Sequence, residues 1–416
     1  MGTVSKNLND TVHRLACQEI SSGRPAAQYE SDPLLARLKE MGTELWIDTG
    51  ELELAQSIWK NELTALTTNN TLANQVVQSG VMDAVIQETV HKLGEAASGL
   101  SREELIKEIG FVINCRIALR LVEAFKVKVS VELHPSMSRE IDHSVEYAKR
   151  YFAVCPDYFI IKVPLTPEGL LAVRRIRKEN IPVNFTLGFS ARQNVLAARL
   201  SNPDFVNVFL GRLNAVVSDN SVGNGQWVGE KVTLHTQAAI EEVRGKHASV
   251  HTRLIAASIR NGDQVATLAG MDVHTIPPAA MKEFQESGRT PGQIQKTDGT
   301  ALSPELDAAH DWSVRVARLW EVEENFLQGM DRLMARDDLD RMTGEELEQF
   351  CSDSGLDLFH PFTPEDLQTI QDHGKIPKLN HWSAEIALDD LMTQSALQSF
   401  TKDQNALDGR IESFLK

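Results

Sequence analysis

The chain has 416 residues, more than one ordinary domain needs and within reach of a single large α/β domain with insertions. Apolar residues make up 42% and charged residues 24%, a globular composition that excludes a disordered or fibrous chain. The net charge of −16 argues against nucleic acid or an anionic membrane as the main partner, because both select basic protein surfaces.

The cellular location is predicted from the N-terminus, the hydropathy pattern and the cysteines. The first residues carry no apolar core of a signal peptide, and no run approaches the roughly 18 apolar residues of a membrane-spanning helix. The four cysteines are widely spaced without a CxxC pair, which favours reduced thiols. We therefore expect a soluble cytoplasmic protein that binds no membrane, and the sequence leaves a homo-oligomer open.

The predicted elements begin with a polar N-terminal helical extension over residues 1–42, with helical patterns at 10–20 and 33–41. Eight short apolar runs rich in β-type residues follow, beginning near residues 44, 63, 128, 158, 182, 205, 253 and 272. Amphipathic helical segments separate these runs, at 138–152, 167–178, 191–200 and 230–244 among others, and an extra helix is expected between the second and third runs.

This alternation predicts the fold class. Short, nearly continuous apolar runs separated by helices are typical of a parallel sheet that is buried on both faces. Eight such units with right-handed crossovers close into a barrel, so we predict an α/β fold, a (β/α)8 TIM barrel, over residues 43–285. A doubly wound open sheet is the alternative.

The pattern changes after the eighth run, because residues 286–390 carry no further strand signals. They predict a helical insertion, with one long helix across 307–334, a capping box at Thr343 and Glu346, and a helix that opens at Thr363 and ends at Gly374. Residues 391–416 predict a C-terminal helix that packs on the barrel. A separate small domain is the alternative for the insertion.

Candidate chemistry is expected where the runs end, because barrel enzymes place their reactive groups at the C-terminal ends of the strands. Nearly every run ends in residues that could take part: Asp48, Asn69, Glu132, Lys162, Asn184, Thr186, Asn207, Arg212, Ser258, Arg260, His274 and Thr275. His274 is more typical of a structural residue. The sequence also lacks an HExxH motif, which argues against a metal enzyme of that type.

Lys162 is the strongest candidate, since it lies in the segment IIKVP with no other charge nearby. Burial favours a neutral amine over an ammonium ion, and a neutral amine can attack a carbonyl carbon. The alternatives are a lysine that reaches solvent at the strand end, or one that forms a buried ion pair with Glu132.

Two further pairs suggest roles in the same site. Asp48 and Glu132 lie on different strands, and two carboxylates in different environments suit proton transfer. A helix N-cap is the alternative for Asp48. Arg212 and Arg260 follow late strands, where guanidinium groups commonly hold a phosphate, and surface ion pairs are the alternative for both.

These strand ends, in this order, resemble the transaldolase family, class I aldolases that form a lysine Schiff base. The resemblance covers about residues 43–285 and the last helix, and IKVPLTPEGL followed by NFTLGFS is its most specific part. The matching segments are WIDT around Asp48, LTTNNTL around Asn69, VSVEL around Glu132, IIKVPLTPEGL around Lys162, VNFTLGFSARQ around Asn184 and Thr186, VFLGR up to Arg212, and AASIRN with Ser258 and Arg260.

The resemblance implies a reaction and a role for each residue. Lys162 would form an imine with a ketose phosphate, Glu132 and Thr186 would activate the water that moves protons, and Asp48 would take the proton of the C4 hydroxyl. The remaining residues would bind substrate: Asn69, Asn184, Asn207, Phe209, Arg212, Ser258 and Arg260. The resemblance implies no cofactor and no metal.

The implied activity is that of a transaldolase of the pentose phosphate pathway, acting on sugar phosphates such as sedoheptulose 7-phosphate or fructose 6-phosphate. An aldolase that releases free dihydroxyacetone from fructose 6-phosphate is the first alternative. Such aldolases usually carry glutamine at the position of Glu132 and tyrosine at that of Phe209, so both positions favour transfer. A non-catalytic barrel scaffold is the second alternative.

Several positions depart from the family pattern. Asn70 replaces a usual proline, Asn207 replaces a usual serine, and Gly188 stands where a bulkier apolar residue is common. The long insertion at 286–390 is the largest departure, and it could cover the barrel mouth, mediate oligomer contacts or bind another protein.

Overall fold

A computed structural model describes residues 6–20, 29–97 and 99–415 of the chain. Residues 1–5 and 21–28 of the predicted N-terminal extension lie outside the described residues. Within the described part, the helix predicted at 10–20 forms as α1, Lys6–Ala16, and that at 33–41 as α2, Pro33–Glu40. Asp32 caps α2, because its carboxylate accepts hydrogen bonds from the backbone amides of Leu34 and Leu35.

The described residues form eight parallel strands that close into a barrel in chain order. Closure is made by β1 and β8, which pair in register from Glu44 with Val273 to Ile47 with Ile276. The predicted TIM barrel is therefore confirmed, and the alternative of an open sheet is wrong. The strands are β1 Glu44–Asp48, β2 Leu63–Thr67, β3 Lys128–Glu132, β4 Phe159–Pro164, β5 Val183–Thr186, β6 Phe205–Phe209, β7 Arg253–Ala257 and β8 Val273–Ile276.

Helices follow the strands and cover the outside of the barrel. Three of them lie between β2 and β3, which accounts for the extra helix expected there. None of the helices in the described ranges is both long and apolar enough to cross a membrane. The helices up to the eighth unit are α3 Leu52–Ile58, α4 Asn70–Gln78, α5 Asp83–Leu93, α6 Arg102–Phe125, α7 Ile141–Val154, α8 Pro167–Arg177, α9 Ala191–Leu200, α10 Leu210–Asp219, α11 Val228–Lys246, α12 Gly262–Thr267 and α13 Pro278–Gln285.

Alternate residues of each strand face the barrel interior. The inward-facing side chains near the starts of the strands fill the N-terminal end of the barrel. The Trp46 and Phe205 rings meet edge to face with centroids 4.8 Å apart, and Arg253 donates to the Glu44 carboxylate at 2.5 Å. Two residues further along β1, the same face carries Asp48. Because the N-terminal end is filled, a cavity can form only at the C-terminal end of the barrel, where Asp48 lies.

The C-terminal region is helical, as expected, but the single helix predicted across 307–334 is wrong. That stretch forms α14, a 3-10 turn at Arg318–Trp320, and α15, with extended backbone at Glu321. The turn buries Leu319 and places the Trp320 ring 5.0 Å from the Lys231 ammonium of α11, so packing on the barrel overrides helix propensity. The helices are α14 Trp312–Ala317, α15 Glu324–Met334, α16 Gly344–Asp353, α17 Pro364–His373 and α18 Leu388–Glu412.

Local capping signals in this region are confirmed. Thr343 and Glu346 form the predicted capping box at the start of α16, and Thr363 caps α17. Gly374 ends α17 with φ of +79°, a backbone conformation that favours glycine.

Candidate active site

The C-terminal end of the barrel holds a cavity of about 450 Å³. Most of the residues singled out in the sequence line it together: Asp48, Asn69, Lys162, Asn184, Asn207, Phe209, Arg212, Ser258 and Arg260. Glu132 and Thr186 lie on the strands on either side of β4, where Glu132 pairs in register with Lys162 and Thr186 with Pro164. The barrel therefore gathers residues spread over more than 200 positions of sequence.

Lys162 is buried, with 4% of its surface exposed. Its Nζ donates to the carbonyl oxygen of Thr68 at 3.1 Å and lies 3.0 Å from Oε2 of Glu132. The buried ion pair considered as an alternative is thus present, and its lysine lines the cavity. The other alternative, a lysine that reaches solvent, is wrong because the strand places the side chain inside the barrel.

The two carboxylates occupy different surroundings. Burial raises the pKa of Glu132, and the adjacent Lys162 charge opposes that rise. Burial also raises the pKa of Asp48, against the opposing charges of Lys162 and Arg260. Asp48 accepts a hydrogen bond from Thr67 Oγ1 at 2.6 Å.

The helix-cap alternative for Asp48 is wrong. The residue that precedes α3 is Glu51, and its amide donates to Thr49 Oγ1 at 3.1 Å. Asp48 therefore keeps a carboxylate oxygen for the cavity rather than for a helix end.

Several buried polar atoms of this site have no hydrogen-bond partner among the described residues. They are Oδ1 of Asn184, Oγ1 of Thr186, one terminal guanidinium nitrogen of Arg212 and Oγ of Ser258. An unpaired buried polar atom costs about 1–3 kcal/mol, and such atoms in one cavity indicate a polar ligand. Asn69 uses its carbonyl oxygen to cap α4 through Leu72, which leaves its amide nitrogen for the cavity.

Two guanidinium groups lie in the same part of the cavity. Burial and the neighbouring Arg260 lower the pKa of Arg212 to about 10, and burial lowers that of Arg260. Arg212 is buried, whereas Arg260 is exposed. An anion between two like charges stabilises both, and a phosphate has the geometry to bind both guanidinium groups.

Gly211 allows these two arginines to approach. A Cβ at Gly211 would lie 2.3 Å from the carbonyl oxygen of Ser258 and 2.6 Å from Cγ of Arg260. Ser258 itself has φ of +62°, so the loop after β7 is held in a conformation that side chains rarely adopt.

Two departures from the family pattern are neighbours in space. The amide of Gly188 donates to Oδ1 of Asn207 at 3.4 Å, and a Cβ at Gly188 would lie 2.2 Å from the carbonyl oxygen of Asn207. The loop after β5 therefore approaches β6 so closely that the residue at 188 must be glycine in this chain.

A further group of cavity residues was not predicted individually, although the insertion was expected to be able to cover the barrel mouth. Segments of the insertion and of α18 contribute Ile370, Gln371, Gly374, Lys375, Gln398, Ser399, Phe400, Lys402 and Asp403. Phe400 has the amphipathic spacing of an ordinary helix, and no local pattern tells that α18 crosses the barrel mouth.

The fold and this cavity define a (β/α)8 barrel enzyme with a buried lysine and carboxylate at its C-terminal end. The sequence profile of the transaldolase/fructose-6-phosphate aldolase family matches residues 45–330. The chain therefore belongs to this family, and it is an enzyme, a transferase of the transaldolase type.

Individual relatives agree with this assignment. A probable transaldolase of Thermus thermophilus is 33% identical over 245 residues, which cover 58% of this chain and 90% of that protein. A probable transaldolase of Thermoplasma volcanium is 32% identical over 218 residues, 52% of this chain and 84% of that protein. A transaldolase of Xanthomonas euvesicatoria is 26% identical over 290 residues, 65% of this chain and 84% of that protein.

Proposed function

We propose that the protein transfers a dihydroxyacetone unit from a ketose phosphate to an aldose phosphate through a Schiff base on Lys162. The observation that carries this proposal is the placement of Lys162, buried at the end of β4, 3.0 Å from a carboxylate and in a cavity with two arginines. Donors would be sedoheptulose 7-phosphate or fructose 6-phosphate, as in the pentose phosphate pathway.

The first half-reaction begins at the amine. Once the Lys162 ammonium has passed a proton to Glu132, Nζ attacks the C2 carbonyl carbon of the ketose to give a carbinolamine, which loses water to form the imine. Glu132 and Thr186 would hold the water that moves these protons. The raised pKa of Glu132 brings its proton exchange closer to neutral pH.

Carbon–carbon cleavage follows from the imine. Asp48 takes the proton of the C4 hydroxyl, the C3–C4 bond breaks, and its electron pair moves into the protonated imine to form an enamine. The aldose phosphate leaves, and a second aldose phosphate accepts the enamine carbon by the reverse steps. Its phosphate would lie between Arg212, Ser258 and Arg260, while Asn69 and Asn184 bind hydroxyl groups.

A second candidate function is aldol cleavage that releases free dihydroxyacetone. The two activities differ in whether the enamine attacks an aldehyde or takes a proton from water. Glu132 and Phe209 carry the side chains expected of the transferase at both positions, which favours transfer. A non-catalytic scaffold is not supported, because the chain belongs to a family of enzymes.

We also propose a role for the insertion and a location. Residues 286–390 would act as a helical cap on the barrel of residues 43–285, with the extension at 1–42 and the helix at 391–416 packed around it. Ile370 and Lys375 at the cavity support this role. Free thiols at all four cysteines agree with a cytoplasmic location.

Trapping the intermediate tests the proposal. Fructose 6-phosphate followed by borohydride should add one dihydroxyacetone unit to Lys162, as located by peptide mass spectrometry. The adduct should be absent in Lys162→Ala and present in Lys128→Ala, which changes an exposed lysine at the start of β3. Formation of a new ketose phosphate only when an aldose phosphate is added distinguishes transfer from release, and an unmodified wild-type protein refutes the Schiff base.

A further inference from the structure

We propose that Phe400 of α18 is a specificity-determining residue that keeps water from the Lys162 enamine, so that the unit is transferred to an aldehyde rather than released. This inference rests on the proposed function. It assigns a role to a residue outside the barrel strands and outside the segments that match the family motifs.

Phe400 lies over the reactive end of the barrel. Its ring centroid is 5.9 Å from Nζ of Lys162 and 5.5 Å from Cζ of Arg212, and 6.5 Å from the ring of Phe209. Only 4% of Phe400 is exposed. The ring therefore lies within 6 Å of both the amine and the guanidinium group and lines the same cavity, in which a three-carbon enamine on Lys162 would be held.

The barrel holds α18 in this place through polar bonds at two successive residues. Nδ2 of Asn70 donates to Oε1 of Gln404 at 2.9 Å, and both residues are 1% exposed. Next to them, the Thr71 hydroxyl donates to the Asp403 carboxylate. A proline at position 70, usual in the family, could not donate this hydrogen bond. Asn70 therefore holds α18 in place at Gln404, one helical turn beyond Phe400.

A second cavity of about 820 Å³ lies behind the same helix, where Thr401, Gln404 and Asp408 line it. Gln398 borders both cavities. The helix thus forms a wall between the site and a larger cavity, and the aromatic ring is the bulkiest buried side chain that this wall presents to Lys162.

The ratio of transfer to release depends on whether water reaches the enamine carbon. The enamine carbon forms a carbon–carbon bond when it attacks the acceptor aldehyde, whose oxygen then takes the proton carried by Asp48. When water protonates that carbon instead, a second water adds to the imine, the carbon–nitrogen bond breaks, and free dihydroxyacetone leaves with Lys162 regenerated. Both routes end with hydrolysis of an imine, so they differ only in whether the enamine carbon bonds to an aldehyde or takes a proton from water. Keeping water from that carbon slows the second route without slowing attack on the aldehyde.

The test measures both products from one reaction. With sedoheptulose 7-phosphate and glyceraldehyde 3-phosphate, transfer is read as fructose 6-phosphate and release as free dihydroxyacetone. Phe400→Ala should raise the ratio of release to transfer by about tenfold or more, and Phe400→Leu should give a smaller rise because its side chain still fills part of the space.

Leu407→Ala is the matched control, because Leu407 is fully buried on the same helix and lines neither cavity. It should leave the ratio at the wild-type value even if it lowers stability. A similar rise in Leu407→Ala and Phe400→Ala, or an unchanged ratio in both Phe400 variants, overturns the inference. Borohydride trapping is run on every variant, so loss of the wild-type Lys162 adduct identifies failure of the proposed function instead.

Discussion

Replacing Lys162 with methionine tests the buried ion pair separately from the chemistry. Methionine fills a similar volume but leaves the Glu132 carboxylate, which is 5% exposed, without its partner at 3.0 Å. A buried carboxylate without a counter-charge either stays charged at a large desolvation cost or takes up a proton. The cheaper of the two routes sets the loss of stability.

The size of this loss of stability follows from the free energy needed to keep Glu132 protonated at pH 7. Holding Glu132 neutral at pH 7 costs at most about 3.4 kcal/mol, which is about 1.36 kcal/mol for each pH unit above the ordinary glutamate value of 4.5. The pKa of Glu132 is already raised in the wild type, so the variant loses less than this limit. We expect a loss of roughly 2–3 kcal/mol at pH 7.

The upward direction of the Glu132 pKa shift predicts how the loss of stability depends on pH. A carboxyl group whose folded pKa is raised favours folding below its unfolded pKa, and that contribution is lost as pH rises through the folded pKa. Because the variant raises the pKa of Glu132 further, its deficit against the wild type should be small near pH 4.5 and grow toward pH 7. Asp48 also loses the nearby Lys162 charge and acts in the same direction.

Urea unfolding followed by circular dichroism at pH 5 and pH 7 measures this difference. The double variant Lys162→Met with Glu132→Gln should lose most of the pH dependence, because no titrating group remains at position 132. A deficit of equal size at both pH values would refute the argument and indicate that lost packing, rather than an unpaired carboxylate, sets the cost.

Three further predictions concern the phosphate end and the base of α18. Arg260→Ala should lower kcat/KM for phosphorylated ketoses roughly 30-fold or more, which corresponds to about 2 kcal/mol of lost binding free energy. It should affect kcat/KM for unphosphorylated ketoses far less. Gly211→Ala should raise KM for phosphorylated substrates, because the new Cβ meets Cγ of Arg260 at 2.6 Å. Asp389→Asn should lower the free energy of unfolding by roughly 3–5 kcal/mol, because the fully buried Asp389 carboxylate accepts two hydrogen bonds from Arg192, at 2.7 and 2.8 Å.

Each of these has a contrary outcome. Arg289→Ala, which breaks a surface pair with Asp263, is the control for Arg260 and should leave kinetics unchanged. Equal losses on phosphorylated and unphosphorylated substrates would remove Arg260 from the phosphate role. An unchanged KM in Gly211→Ala would show that the loop yields, and an unchanged urea midpoint in Asp389→Asn would show that Arg192 finds another partner.

The sequence by itself determined the elements and the order of the chemistry. Eight apolar runs predicted the eight strands, since a parallel barrel buries both faces of each strand. Strand-end residues such as Lys162 and Arg260 could be assigned to one site, because all parallel strands of a barrel end at the same rim. Local rules also located the cap at Thr343 and the helix end at Gly374.

Only the tertiary structure decided which distant segments meet. The break at Glu321 carries no helix-breaking residue, and it forms because Leu319 and Trp320 pack on the barrel. Phe400 reads as one apolar position of an amphipathic helix, and it lies over Lys162 because Asn70 and other barrel residues fix where that helix rests. Such placements depend on contacts between residues hundreds of positions apart, which periodicity and propensity do not encode.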